Sequence, residues 1–134
     1  GDPETQPIMH RLRDDLGVLC LAALDGRLDE MSADWDPRPA VGVVLAAGGY
    51  PGSYAKGHEI KGLNAEWPST TKVFHAGTQQ KGDSVVTQGG RVLCVSALGD
   101  SIADAITAAY AGVDQISWEG VVCRRDIGWR AINR

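Results

Sequence analysis

A chain of 134 residues and 14.2 kDa has room for one hydrophobic core and not for two. With 43% hydrophobic and 22% charged residues it has the composition of a folded globular domain, which argues against disorder. The net charge of -4, without a basic stripe interleaved with aromatics, gives no reason to expect nucleic acid, and no apolar run nears the roughly 18 residues of a membrane helix. No basic-then-apolar signal segment opens the sequence. Cys20, Cys94 and Cys123 lie in apolar runs without CxxC spacing, which predicts buried, reduced thiols and a cytoplasmic location over a disulfide or metal site.

From Glu4 to Leu28 the apolar residues Ile8, Leu12, Leu16, Leu19, Cys20, Ala23, Leu24 and Leu28 recur in steps of three and four. That spacing predicts one long amphipathic helix, with Asp2 as N-cap, Pro3 in its first position and Glu4 in its first turn. LDEMSADWDPRP reads as a polar connector. Val41 to Ala47 is a buried strand running into GGYPG, a turn that needs glycine's freedom in φ. His58 to Ile60 predicts a short strand, and Thr71 to Thr78 with Ser84 to Thr87 a hairpin across QQKGD. Arg91 to Ala97 follows as a third strand. Asp100 or Ser101 caps a second helix with Ile102, Ala105, Ile106, Ala109, Tyr110 and Val113 on one face. The tail offers a short strand and a basic loop. The fold class is α+β: a segment over residues 1–34 that carries the long N-terminal helix, then a small antiparallel β-rich unit over 35–134 with one packed helix.

Four stretches carry chemistry, each with two readings. Asp2 and Glu4 are paired carboxylates able to bind a divalent metal or orient an amine, or simply to cap the helix. Gly48, Gly49, Tyr50 and Pro51 either bring backbone amides to an anion or form a tight structural turn. His75, within a strand, is either a base or a hydrogen-bonded structural residue. In CRRDIGWR, Arg124, Arg125 and Arg130 surround Asp126, which suits either a phosphate or carboxylate site or a solvated loop with a surface ion pair. There is no GxSxG, GxxxxGK[ST] or HExxH, and no clustered His/Cys set.

GDPETQP at 1–7, VVLAAGGYPG at 43–52, VFHAGT at 73–78, GGRVLCVSALG at 89–99 and CRRDIGWRA at 123–131 together resemble the C-terminal part of the phosphoribosylamine–glycine ligase family, ATP-grasp enzymes of purine biosynthesis. The resemblance implies a ligase that joins glycine to phosphoribosylamine with ATP hydrolysis through a glycyl phosphate, using Mg2+ or Mn2+. It places the metal ligands upstream of Gly1 and the nucleotide-clamping lobes outside the chain, so this chain alone is expected to bind neither ATP nor metal and to be inactive. It puts Asp2, Pro3 and Glu4 at the floor of the active site and assigns Arg124 to the ribose 5-phosphate, with Arg125 beside it and Asp126 as orienter. Gly48, Gly49, Tyr50 and Pro51 become a turn facing the substrate cleft, and the carboxyl-terminal unit a rudimentary single hybrid motif. No catalytic residue is assigned within the chain. Partners are expected to be the small-molecule substrates, with no nucleic acid and no membrane.

The motif series, with a first residue that is not Met, leads to the expectation of a C-terminal piece of a longer ligase. The alternative is a standalone binding or interaction domain that kept the fold without the chemistry. The first helix separates the two, since packing against further protein would leave its apolar face exposed in the isolated chain.

Overall fold

The computed structural model describes residues 1–132. Its strands are β1 (Ala40–Ala47), β2 (Thr71–His75), β3 (Thr78–Lys81), β4 (Ser84–Thr87), β5 (Arg91–Leu98) and β6 (Val121–Val122). Four of them form one antiparallel sheet in the order β2-β5-β1-β6, and β3 and β4 form a separate two-stranded ribbon. The α+β class is therefore observed, with antiparallel sheets as the sequence predicts.

The sheet has two unlike faces. Along β1 the residues Val41, Val43, Leu45 and Ala47 are buried while those between them are half-buried, the period-two pattern of a strand covered fully on one side. Val41, Val43 and Leu45 stand opposite Ala97, Val95 and Leu93 of β5. Onto this face packs α3 (Ile102–Val113), burying Ala105, Ala109 and Val113, with Ile60, Ile116 and Trp118 closing the core. Ser101 caps α3: its hydroxyl accepts from the Asp104 amide at 3.2 Å, and the Asp104 carboxylate accepts from the Ser101 amide at 3.1 Å.

The other face carries α1 (Thr5–Arg11), which packs on β1 and β5. Its approach depends on Gly42, where an added Cβ would come within 3.3 Å of Pro7 Cδ and 3.1 Å of Cys94 Sγ. Opposite Gly42 on β5 is Ser96, fully buried, whose hydroxyl lies 3.0 Å from Nδ1 of the buried His10. Phe74 meets the His10 ring edge-on at 6.3 Å between centroids.

The long first helix is corrected. The chain forms α1, then α2 (Leu16–Leu24), then a 3-10 turn at Leu28–Glu30. At the break, Leu12 takes an extended conformation and pairs as an antiparallel bridge with Trp35. Arg13 N donates to Asp34 O at 2.9 Å, and Asp36 N donates to Arg11 O at 2.7 Å. The side chains reinforce the bridge. Arg11 donates twice to the Asp36 carbonyl, while Arg38 and Arg13 reach the Asp36 carboxylate at 2.8 and 3.3 Å. Tertiary pairing thus outweighs helical propensity through residues 12–14. Asp15 restarts the helix by accepting from the Gly17 amide at 2.7 Å. Instead of one apolar stripe, α2 is apolar around its circumference, with Leu16, Val18, Leu21 and Leu24 exposed and Ala22 buried.

Two further expectations change. Thr71 to Thr78 is not one strand of a hairpin: the chain turns at Ala76-Gly77, β2 pairs with β5, and β3 pairs with β4 around Gly82-Asp83. His58 to Ile60 supplies only an isolated bridge, Glu59 with Val86. Of the cysteines, Cys94 is buried and Cys123 partly so, but Cys20 on α2 is exposed, because α2 has little to pack against among the described residues.

Candidate functional site

The part of the sheet face that α1 leaves open is a cleft of about 500 Å3, within the range of small-molecule sites. Gly42, Val44 and Ala46 of β1 form its floor. Pro3, Tyr50, Arg91 and the segment after β6 with Cys123, Arg124 and Ile127 form its walls. Three residues singled out in the sequence therefore meet here, from three distant parts of the chain: Pro3, Tyr50 and Arg124. A larger hollow of about 700 Å3 lies on the other side of α1, among Pro7, Ile8, Arg11, Trp35 and Ile102, and contains none of them.

Asp2 sits at the edge of the cleft but does not cap α1. The N-cap position is Glu4, without a side-chain cap, and the Thr5 amide donates to Gly1 O at 2.8 Å. A guanidinium competes for the Asp2 carboxylate and wins: Arg91 Nε donates to it at 2.8 Å, and Gln6 Nε2 at 2.5 Å. Glu4 is exposed and lies outside the residues lining the cleft. Beneath the floor, burial first and the Asp2 charge second push the Cys94 thiol up to about 11, so it stays protonated at neutral pH.

The GGYPG segment is a turn, with Gly49 at φ +94° and a cis peptide before Pro51. Only its Tyr50 lines the cleft; Gly48, Gly49 and Pro51 do not. The Tyr50 ring lies against Gly90, where any Cβ would fall 2.2 Å from Tyr50 Cδ2.

The basic loop divides its arginines. Arg124 donates through Nε and Nη2 to both oxygens of Asp126, at 2.9 and 2.6 Å, a forked pair that presents the guanidinium at the cleft wall. This hydrogen bonding holds the Asp126 carboxyl below its ordinary range and raises the Arg124 pKa. Arg125 is directed elsewhere, donating to Asp114 at 2.7 Å and stacking over the Tyr110 ring at 5.5 Å. Arg130 stacks on Trp129. His75 is exposed and bonded to Thr78 Oγ1 at 3.0 Å, a strand-end contact away from the cleft. Among the described residues no three His, Cys, Asp or Glu side chains gather as a metal site, so Asp2 and Glu4 do not form one with a third ligand.

With this geometry in place, residues 40–130 match the family described as phosphoribosylglycinamide synthetase, C domain. The chain belongs to that family. It resembles the phosphoribosylamine–glycine ligase of Allochromatium vinosum, at 62% identity over 134 residues that make up all of this chain and 31% of the relative. The ligase of Vibrio cholerae is 60% identical over the same length, again covering the whole chain and 31% of the relative. Among solved structures, phosphoribosylamine–glycine ligase from Thermotoga maritima matches with a TM-score of 0.72 and 37% identity, over 94% of this chain and 30% of that one. The likeness is thus to the C-terminal part of such ligases, and the chain spans under a third of the length of the curated relatives it matches.

Two residues that shape the cleft are not singled out by the sequence motifs. Arg91 opens an apolar strand after Gly89-Gly90, and nothing in its neighbours marks it as a cleft residue. Tyr110 reads as part of the helix's apolar face, yet its hydroxyl donates to Arg124 O at 2.8 Å and accepts from the Ile127 amide at 3.0 Å, pinning the arginine loop to α3. The signal for Tyr110 was its phenol: a hydroxyl on a packed face needs a partner.

Proposed function

We propose that the chain is the C-terminal portion of a phosphoribosylamine–glycine ligase, which joins glycine to 5-phosphoribosylamine at the expense of ATP in purine biosynthesis. One observation carries the reading: proteins bearing that name match the chain from end to end at about 60% identity. Glycine is activated as a glycyl phosphate, which the amine of phosphoribosylamine attacks. ATP and its Mg2+ or Mn2+ are assigned to other parts of the enzyme. What this chain contributes is a wall of the substrate cleft. Arg124, oriented by Asp126 and pinned through Tyr110, faces the sugar phosphate; Asp2 and Pro3 form the corner toward the amine and glycine, with Glu4 outside the cleft lining. Tyr50 bounds the cleft from the turn at 48–51. Arg125 braces the loop on α3.

On the same reading the division falls near residues 34 and 35, the second unit being a rudimentary single hybrid motif, and the location is cytoplasmic. The exposed Leu16, Val18, Leu21 and Leu24 of α2 favour burial against further protein over a standalone domain. The described residues contain no helix long and apolar enough to cross a membrane.

The test is a chimera. This chain replaces the corresponding segment of the Allochromatium vinosum ligase, and ATP-dependent incorporation of labelled glycine is measured. The chimera should ligate and the isolated chain should not; a folded chimera without activity refutes the reading. Within the chimera, Arg124→Ala should raise KM for phosphoribosylamine far more than KM for ATP. Equal effects on both would return the loop to a structural role.

A further inference from the structure

Arg91 reaches the cleft through an irregularity of the sheet. β1 and β5 pair regularly from Ala40 with Leu98 to Leu45 with Leu93, but the next pair is Ala46 with Arg91. Val92 is therefore an extra residue on β5, a β-bulge. In regular register Val92 would face Ala46 on the cleft side and Arg91 would be driven to the core side. The bulge reverses this: Val92 is fully buried in the core cluster, and Arg91 lines the cleft beside Ala46 and Val44. A bulge gives up a ladder position, and re-aiming a side chain is a recurrent use of it next to ligand sites.

The re-aimed guanidinium is only partly engaged. Its Nε donates to the Asp2 carboxylate at 2.8 Å and Nη1 to the Asp2 carbonyl at 3.2 Å, while its other donors have no partner among the described residues. The side chain is 40% exposed, toward the same cavity that Arg124 faces. Arg124 likewise keeps Nη1 spare beyond its fork on Asp126. We infer that Arg91 is a second anion ligand of the cleft, taking a sugar phosphomonoester together with Arg124, and that the Asp2 carboxylate competes with this phosphate for its guanidinium. A phosphate dianion offers more acceptor oxygens and charge to a planar fork than a carboxylate does. The inference rests on the ligase reading for the identity of the ligand and adds to it Arg91 and the competition.

A purely structural Arg91 would do nothing but brace Asp2, and the two roles differ in sign. If Arg91 only braces, Arg91→Gln and Asp2→Asn break the same contact and act in the same direction. If it binds phosphate, Arg91→Gln weakens binding while Asp2→Asn frees the guanidinium and tightens it. The experiment titrates the isotopically labelled 134-residue chain with ribose 5-phosphate, and separately with inorganic phosphate, following the arginine Nε–H resonances. Ribose 5-phosphate should shift the Arg91 and Arg124 signals together. Arg91→Gln should weaken it by about tenfold or more, the scale of one lost charge-assisted hydrogen bond. Arg91→Lys should restore part of the loss, and Asp2→Asn should bind more tightly than the parent chain. Parallel weakening by Arg91→Gln and Asp2→Asn, or no saturable shift at Arg91, overturns the inference. Inorganic phosphate binding as tightly as ribose 5-phosphate overturns the sugar-phosphate assignment. Arg91→Lys and Asp2→Asn keep the test decisive should Arg91→Gln not fold. Failure here leaves glycine ligation by the chimera untouched, and failure of that ligation leaves an Arg91-dependent phosphate site standing.

Discussion

Ser96→Ala should destabilise the protein well beyond the loss of one oxygen atom. Ser96 is fully buried and His10 is 7% exposed, and their 3.0 Å hydrogen bond joins α1 to the central strand. His10 Nε2 is already buried with no partner among the described residues. Removing the hydroxyl leaves Nδ1 unpaired as well, whichever tautomer is present, at a cost of about 1–3 kcal/mol. For a chain of this length that corresponds to a fall in Tm of about 3–15 °C. His10→Leu orphans Ser96 in turn, whereas the double variant His10→Leu/Ser96→Ala removes both partners and all unpaired atoms. The double variant should therefore be more stable than the sum of the two single losses implies, by an amount similar to the single penalty. Thermal unfolding followed by circular dichroism at neutral pH gives all four values. Additive losses would refute the pairing as an energetic unit.

The same site fixes a pH dependence. Burial, then the nearby Lys72, lowers the His10 pKa below 6.5; Arg38 acts the same way and Asp36 opposes them. The unfolded chain then binds a proton more readily than the native one. Stability is whole above pH 6.5 and is lost as pH falls from there toward the lowered native value, with a slope of at most about 1.4 kcal/mol per pH unit. His10→Leu should abolish that slope, and its persistence in the variant would assign it to another group.

Two other perturbations probe the frame around the cleft. Ser101→Ala removes one arm of the capping box and should cost about 1 kcal/mol, read as a lower urea midpoint, with Ser101→Asn recovering most of it. Asp36→Asn should lower Tm at neutral pH, because hydrogen bonds from Arg38 hold the native carboxyl well below its ordinary range. That contribution is complete above pH 3.8 and is lost as pH falls below it toward the depressed native value, so the gap between parent and variant should close in acid. A gap independent of pH would mean that Asp36 acts through shape alone.

The parts of the fold legible in the sequence are those set by local signals. The apolar run Val41 to Ala47, the alternation after Arg91 and the Ser101 cap with its apolar face each yield the observed element. The long first helix failed because its periodicity through Leu12 is real, but Arg11 and Arg13 are drawn into a bridge with the Trp35-Asp36 segment more than twenty residues on. Asp15, a good N-cap before LGVL, was the available sign of a restart. The hairpin failed at Gly77 for a similar reason: β2 finds its partner in β5, a long-range pairing that spacing does not encode. At the cleft, Pro3, Tyr50 and Arg124 could be singled out by resemblance. Arg91 could not, because its direction depends on a bulge, and a one-residue register shift leaves no mark on composition.

The two faces of the sheet are held by different kinds of contact. β5 is central, and its side chains sort by parity: Leu93, Val95 and Ala97 go to the core beneath α3, and Cys94 and Ser96 to the face shared by α1 and the cleft. The core side is sealed by apolar contacts and needs nothing from the cleft. The other side is only half-covered, and polar contacts hold its cover: His10 on Ser96, Arg91 on Asp2, and the arginine bridge to Asp36. Such contacts are directional, unlike the packed core, and of the three only the Arg91–Asp2 pair lies at the cleft. The bulge lies where the two regimes meet. By moving Val92 inward and Arg91 outward it completes the core and places Arg91 at the cleft wall with a single inserted residue.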